Sequence, residues 1–259
     1  MKYSLCIEPV FSKWDFCDRI KLARECGADA VEFWGLEEKD LAKIARTCAG
    51  ENMPVAACNV CSPWTVRLND TRARVLEMLD KTLEAGAQLG CGTFIALAGD
   101  VCTKNDSQKA LLIDNLKAAA ERLERHDACL VVEALNSLVD HKGYYLDSSY
   151  TAFEIMKCVD SPHVKLLYDC YHMQIMEGNV LENTLGNLAY IGHFHSAGVP
   201  GRGEPHKGEL YYPALTRALE QRGYGGYFGM EYWPTYDDRQ SVCDTLAYLK
   251  RGEFPSARP

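Results

Sequence analysis

An alternation of eight short apolar runs with longer amphipathic stretches constrains the fold of this chain more than any other feature. The runs are almost continuously apolar and have the length of strands, as expected for parallel strands that are buried on both faces. They occupy residues 3–7, 29–34, 55–59, 93–99, 129–136, 164–169, 190–195 and 226–233. Helical patterns occupy residues 15–26, 38–49, 70–89, 106–126, 148–158, 212–222 and 239–250. The segment 176–188 carries no decisive pattern.

Eight strands that alternate with about eight helices in 259 residues have the size and rhythm of a (β/α)8 barrel. The competing topology, a doubly wound open sheet, usually carries a glycine-rich turn after its first strand, and the sequence has none there. No linker or charge block divides the chain. We therefore predict an α/β fold of the TIM-barrel type, with a single domain over residues 1–259.

The charge and hydropathy of the chain exclude several classes of partner. The formal net charge is −8, which disfavours binding to a phosphate backbone, so we expect no nucleic-acid partner. No apolar run approaches the roughly 20 residues that span a bilayer, and the N-terminal MKYSLCIEPVF does not have the pattern of a secretion signal. These features predict a cytoplasmic protein with a small-molecule substrate and no membrane partner, and they leave homo-oligomer formation open.

The last polar residue of each late strand is a residue that can bind a metal. These residues are Glu133, Asp169, His195 and Glu231, with separations of 36, 26 and 36 residues, each about one strand–helix unit. Chemistry in this class of barrel takes place at the C-terminal ends of the strands. The four side chains should therefore meet at one mouth of the barrel, although each could instead be a separately satisfied, half-buried polar group.

Three carboxylates and one imidazole form a ligand set that suits one divalent metal ion, Mn²⁺ or Mg²⁺, whereas structural zinc prefers thiolates. Glu133 and Glu231 could in addition face a substrate carbon and transfer a proton to and from it. The sequence therefore predicts a metal site formed by Glu133, Asp169, His195 and Glu231, with the two glutamates as catalytic groups.

Two further residues are predicted to bind substrate. His172 follows Asp169 by three residues, on what we expect to be the same loop, and could donate a hydrogen bond to a substrate oxygen. Arg202 lies in the loop VPGRGEP after the seventh strand, where its planar guanidinium could pair with a substrate carboxylate. The alternatives are an ordinary loop histidine and a surface arginine.

His193 is interpreted as a packing residue, and the lone C-x-x-C pair of Cys58 and Cys61 receives no assigned role.

Several segments resemble the hydroxypyruvate isomerase family, within the xylose-isomerase-like barrel superfamily that also holds the ketose 3-epimerases. The resemblance is strongest over residues 130–235, through VEALNS, GYYL, KLLYDCYHMQIMEGN, IGHFHSAGVPGRGEPHKGELYYPAL and GYGGYFGMEYWP, and looser in the N-terminal half through GADAVEFW. It implies a divalent-metal isomerase. In this family Glu133, Asp169 and Glu231 match metal-site carboxylates, and the two glutamates match the proton-transfer pair. His172 and Arg202 match substrate-site positions of the superfamily.

The leading hypothesis is an aldose–ketose isomerase of a short hydroxy-oxo acid, of the hydroxypyruvate/tartronate semialdehyde type, that works by enediol proton transfer. The alternative is a ketose 3-epimerase of the tagatose/psicose type. It is favoured by His195, because familiar hydroxypyruvate isomerases often have Gln at this position. A DNA-repair endonuclease of the superfamily would need additional histidines in the early strands and a basic face, and a non-catalytic barrel would not need the four-residue set.

Overall fold

The computed structural model describes residues 1–101 and 104–255, and their eight strands form one closed parallel barrel in chain order. The first strand pairs with the last, which closes the ring. The strands are β1 (Lys2–Cys6), β2 (Ala30–Phe33), β3 (Val55–Asn59), β4 (Thr93–Leu97), β5 (Cys129–Glu133), β6 (Val164–Asp169), β7 (Ile191–Ser196) and β8 (Tyr227–Met230). The predicted (β/α)8 barrel is confirmed; that one domain covers all of residues 1–259 stays a prediction.

The helices of the described residues follow the strands around the outside of the barrel. They are α1 (Phe16–Glu25), α2 (Leu41–Gly50), α3 (Arg72–Leu89), α4 (Asp106–Glu124), α5 (Ser149–Val159), α6 (Cys170–Met176), α7 (Val180–Gly186), α8 (Tyr212–Gln221) and α9 (Asp238–Arg251). Short 3₁₀ turns occupy Leu188–Tyr190 and Pro205–Lys207. None of the helices in these residues is long and apolar enough to cross a membrane.

Local sequence signals set several of the helix boundaries. The side chains of Asp40, Asn105 and Asp237 each accept a hydrogen bond from the backbone N–H three residues later, and so cap α2, α4 and α9. At the C-terminal ends of α3 and α9, Gly90 and Gly252 adopt left-handed conformations with φ of 65° and 72°. These signals account for the close agreement between predicted and observed boundaries.

The structure differs from the sequence prediction between β6 and β7. Residues 176–188, which carried no decisive pattern, contain α7, and the chain directly after Asp169 forms α6 rather than a loop. Asp169 Oδ1 accepts hydrogen bonds from the backbone N–H groups of Tyr171 and His172, so this strand-terminal carboxylate also caps α6. With seven residues, α6 is too short to show a helical period. The expectation that His172 lies on a loop is therefore wrong.

Strands β4, β5 and β8 end earlier than predicted, at Leu97, Glu133 and Met230. The residues that follow them, Glu231 among them, lie outside the sheet. Inside the barrel, one apolar cluster consists of Ala57, Ile95, Val131 and Leu167.

The two cysteines of the C-x-x-C motif have different partners. The thiol of Cys58 lies 3.8 Å from that of Cys91, whereas the backbone N–H of Cys61 donates a hydrogen bond to Thr82 Oγ1.

Candidate metal centre and active site

Barrel closure brings the four predicted metal-binding residues together. Glu133 and Asp169 are the last residues of β5 and β6, His195 is the penultimate residue of β7, and Glu231 directly follows β8. One ligand atom from each lies within 4.8 Å of the others, and all four residues are buried. The register contributes to this arrangement, because it pairs Asp169 with His195 across β6 and β7.

The imidazole of His195 has a defined orientation. Its Nε2 lies 2.8 Å from Oε2 of Glu32. Because an ionised carboxylate only accepts hydrogen bonds, Nε2 carries the hydrogen. Nδ1 then faces Oε1 of Glu133 and Oε2 of Glu231, each at 3.6 Å. Burial lowers the pKa of His195, but Glu231 and Glu32 outweigh burial, and the pKa lies well above its ordinary value.

Two buried atoms in the cluster lack a partner, and this observation tests whether a cation fits. Among the described residues, neither Nδ1 of His195 nor Oε1 of Glu133 has a hydrogen-bond partner. Buried polar atoms without partners are costly, and these two belong to groups that can both bind a cation. Burial also raises the pKa of Asp169 to about 7, against the lowering effect of Arg202. The three oxygen donors and one nitrogen donor therefore fit a divalent cation such as Mn²⁺ or Mg²⁺.

The two glutamates have different surroundings. In Glu231, Oε1 accepts a hydrogen bond from Trp34 Nε1 at 2.7 Å, and Oε2 accepts one from Arg202 Nη2 at 2.6 Å. Burial raises the pKa of Glu231, but His195 and Arg202 lower it, and the resulting pKa is below its ordinary value. Glu231 is thus held as an anion by two donors, while Oε1 of Glu133 is free of donors within the described part of the chain.

His172 presents a neutral N–H group to the cluster. Asn136 Oδ1 accepts hydrogen bonds from the backbone N–H groups of residues 139 and 140, so its amide NH₂ is the group 2.6 Å from Nδ1 of His172. The hydrogen of the neutral imidazole therefore lies on Nε2, which is 3.5 Å from Asp169 Oδ2. Burial lowers the pKa of His172 well below its ordinary value. This buried Nε2 has no hydrogen-bond partner in residues 1–101 and 104–255.

Arg202 lies inside the mouth rather than on the surface. Its Nη2 pairs with Glu231 and lies 4.0 Å from Asp169 Oδ2. The guanidinium carbon is 4.8 Å from the centre of the Trp233 ring and 5.3 Å from that of Tyr171. Contact with two aromatic rings and a buried carboxylate fixes this cation beside the cluster.

Sequence reasoning missed the contribution of Glu32 and misinterpreted His193. His193 is not only a packing residue, because its Nε2 lies 3.0 Å from Oε1 of Glu32. Residues two apart in a strand share a face, so His193 lies one layer below His195 on the same side of the sheet. The available signals were this spacing and the carboxylate of Glu32 inside the apolar run DAVEFW. Trp34, the last residue of the same run, donates a hydrogen bond to Glu231.

The chain is similar to known proteins over most of its length. The family model described as xylose isomerase-like TIM barrel matches residues 20–251. The chain is 30% identical to the hydroxypyruvate isomerase of Escherichia coli K12, over 90% of this chain and 94% of that protein. It is 29% identical to the 2-oxo-tetronate isomerase of Pectobacterium atrosepticum, over 90% of this chain and 92% of that protein.

Solved structures show the same architecture. A structure described as an AP endonuclease, family 2, from Brucella melitensis has a TM-score of 0.88 and 28% identity, and the match covers 96% of this chain and 98% of that one. A D-psicose 3-epimerase with D-tagatose from Clostridium cellulolyticum H10 has a TM-score of 0.82 at 16% identity, with 96% and 98% coverage. The second likeness concerns the fold alone.

Proposed function

The chain belongs to the xylose isomerase-like TIM barrel family, and from this premise we propose that it is an aldose–ketose isomerase of a short hydroxy-oxo acid. The relatives named hydroxypyruvate isomerase and 2-oxo-tetronate isomerase support this class of substrate. The observation that carries the proposal is the pair of buried glutamates, Glu133 and Glu231, each with an oxygen 3.6 Å from Nδ1 of His195. The substrate pair we propose is hydroxypyruvate and tartronate semialdehyde.

In this reaction a proton leaves the hydroxymethyl carbon and returns at the neighbouring carbonyl carbon, through an enediol. One glutamate removes the carbon-bound proton as a general base, and the same glutamate or the other returns it to the adjacent carbon. A divalent cation held by Glu133, Asp169, His195 and Glu231 would polarise the carbonyl and make the neighbouring C–H more acidic. The hydroxyl proton on the first carbon moves to the former carbonyl oxygen, so the substrate is rearranged with no net change in atoms or electrons.

The other residues of the mouth would bind and orient the substrate. The Nε2–H of His172 is suited to donate a hydrogen bond to a substrate oxygen, since this donor is buried and has no partner among the described residues. Arg202 provides a cation for the substrate carboxylate, although it also pairs with Glu231. The rings of Trp34 and Trp233, with centres 6.1 Å apart, would limit the access of water.

A substrate panel followed by NMR in D₂O tests this function. The protein is stripped of metal, re-equilibrated with Mn²⁺ or Mg²⁺, and offered hydroxypyruvate, a 2-oxo-tetronate and neutral ketohexoses. We expect isomerisation of a hydroxy-oxo acid and deuterium at the exchanging carbon, with both lost after chelation. Conversion of ketohexoses alone, without turnover of any acid, would contradict the proposal.

The second candidate is a ketose 3-epimerase, which His195 favours because the resembling hydroxypyruvate isomerases often have Gln at that position. The panel distinguishes the two, because an epimerase would invert C3 of a neutral ketose. An endonuclease is disfavoured by the net charge of −8. Several points stay predictions. They are the metal, Mn²⁺ or Mg²⁺, a cytoplasmic location, the absence of a nucleic-acid or membrane partner, and the oligomeric state.

A further inference from the structure

Glu32 forms a fully engaged carboxylate beneath the four-residue cluster. It is 1% exposed, and its partners lie on the neighbouring strand β1 and, across the barrel, on β7. Oε2 lies 2.8 Å from Nε2 of His195, while Oε1 lies 3.0 Å from Nε2 of His193 and accepts a hydrogen bond from Ser4 Oγ. Since β2 and β7 are not adjacent, the contacts with His193 and His195 cross the barrel interior. Both carboxylate oxygens thus have hydrogen-bond partners, and the partner of Oε2 is His195.

The barrel leaves space for this arrangement at one glycine. A Cβ atom on Gly229 of β8 would lie 2.6 Å from Cδ2 of His195 and 2.8 Å from Oε1 of Glu32. Contacts this short are not tolerated, so any larger residue would displace the pair.

The geometry points to Glu32 as a positioning residue that selects the His195 tautomer able to bind the metal. This inference rests on the metal site that is part of the proposed function. A carboxylate can only accept, so in the neutral ring of His195, the form that binds a metal, it requires hydrogen on Nε2 and leaves the lone pair on Nδ1. Nδ1 is the atom that faces Glu133 and Glu231 at 3.6 Å. Ser4 and His193 hold the carboxylate so that Oε2 is directed at His195.

The substitution Glu32→Gln keeps the size of the side chain and removes this requirement. If the amide NH₂ faces His195, hydrogen moves to Nδ1 and the lone pair is lost. If the amide oxygen faces His195, the hydrogen bond survives, but the negative charge that makes the imidazole a stronger ligand is gone. Hydrogen-bond partners of metal ligands typically contribute about 10–100-fold to metal affinity. We expect Glu32→Gln to weaken Mn²⁺ binding within that range.

The test is Mn²⁺ binding by calorimetry to the wild-type protein, Glu32→Gln and a matched control, Glu204→Gln. Glu204 is also a fully buried glutamate, and its oxygens accept hydrogen bonds from Thr235 and Ser241. We expect Glu204→Gln to bind Mn²⁺ within about threefold of the wild type. Circular dichroism establishes that each variant is folded. Equal Mn²⁺ affinity of folded Glu32→Gln and the wild type would overturn the inference.

A measurement on the wild-type protein does not depend on whether Glu32→Gln folds. In protein labelled with ¹⁵N-histidine, we expect Nε2 of His195 to carry hydrogen and Nδ1 to shift when Mg²⁺ is added, with His195→Gln used for assignment. A shift at Nε2 instead would overturn the inference. If the wild type binds Mn²⁺ more tightly than Glu32→Gln but isomerises no hydroxy-oxo acid, the proposed function fails and this inference stands.

Discussion

At the scale of single residues, the two glutamates show how surroundings divide similar side chains. Glu231 has a donor on each oxygen, from Trp34 and from Arg202, whereas Oε1 of Glu133 has none among the described residues. Glu231 is therefore fixed in place and in charge, and Glu133 retains an oxygen that can accept a proton. This asymmetry would suit the proposed proton transfer, in which Glu133 is the less constrained of the two glutamates.

Replacing either glutamate with Gln keeps its size and removes the base. We expect Glu133→Gln and Glu231→Gln each to lose at least about 10²-fold in turnover, the lower end for a general base. Metal occupancy should fall less than in Asp169→Ala, because an amide oxygen can still bind a cation weakly. Steady-state kinetics, elemental analysis and deuterium wash-in measure these effects. Normal turnover in both metal-loaded variants would mean that another group moves the proton, and His172 would be the next candidate.

Arg202 tests the charge of the substrate. Arg202→Lys keeps a cation but loses the planar fork that pairs with a carboxylate. We expect kcat/KM to fall by more for an acidic substrate than for a neutral ketose, measured in parallel with the same metal-loaded preparation. Equal losses on both substrates would show that Arg202 acts through Glu231 alone and does not anchor a carboxylate.

At the scale of elements, Asp169 joins the candidate metal centre to α6. Its Oδ1 accepts hydrogen bonds from the first backbone N–H groups of α6, while its Oδ2 lies 3.5 Å from Nε2 of His172 and 4.0 Å from Arg202. The helix that carries His172 thus begins on a candidate metal ligand. The direction of the His172 ring is consequently tied to the position of Asp169.

Two substitutions separate these roles of Asp169. Asn is as good a helix cap as Asp, so Asp169→Asn should keep α6 capped and lose the charge needed for the cation. Asp169→Ala loses both the cap and the charge. In the presence of a chelator, we expect Asp169→Ala to have a free energy of unfolding about 1 kcal/mol below that of Asp169→Asn. Urea unfolding measures this difference.

Mn²⁺ binding should be weakened in both Asp169 variants. Wild-type affinity in Asp169→Asn would remove this residue from the proposed site. Identical unfolding curves for the Ala and Asn variants would contradict the capping role.

At the scale of the whole molecule, barrel closure gathers four carboxylates around a small interior volume. Glu32, Glu133, Asp169 and Glu231 are all buried; Arg202 pairs with Glu231, and the rings of His193 and His195 lie against Glu32. Like charges at close range in a buried site repel one another, and a bound cation would offset that repulsion. Metal binding at the mouth of the barrel would therefore be linked to folding stability.

Metal binding should accordingly raise the free energy of unfolding. A ligand that binds only the folded state at 100 times its Kd stabilises by about 2.7 kcal/mol. We expect Mn²⁺ in that excess to shift the urea midpoint of the wild-type protein upward by a corresponding amount, and to shift Asp169→Ala much less. An equal shift in both proteins would indicate that the ion binds elsewhere.

The sequence by itself determined the architecture and the membership of the cluster. The strand–helix alternation predicts the barrel, because buried parallel strands need continuous apolar runs and amphipathic helices cover them. In a closed barrel the C-terminal strand ends meet, so the positions of Glu133, Asp169, His195 and Glu231 in the sequence were sufficient to place them together. These inferences depend on order and period, which a single sequence carries.

Only the tertiary structure decided which groups hold those residues in place. Glu32 meets His195 from 163 positions away, and Trp34 meets Glu231 from 197 positions away. The inward direction of Arg202 and the hydrogen bond between Asn136 and His172 were equally hidden. Such contacts depend on the relative stagger of distant strands and on the paths of the loops between them. The period of the hydrophobic pattern shows which face of a strand is buried, but it does not specify which polar atom lies opposite that face across the barrel.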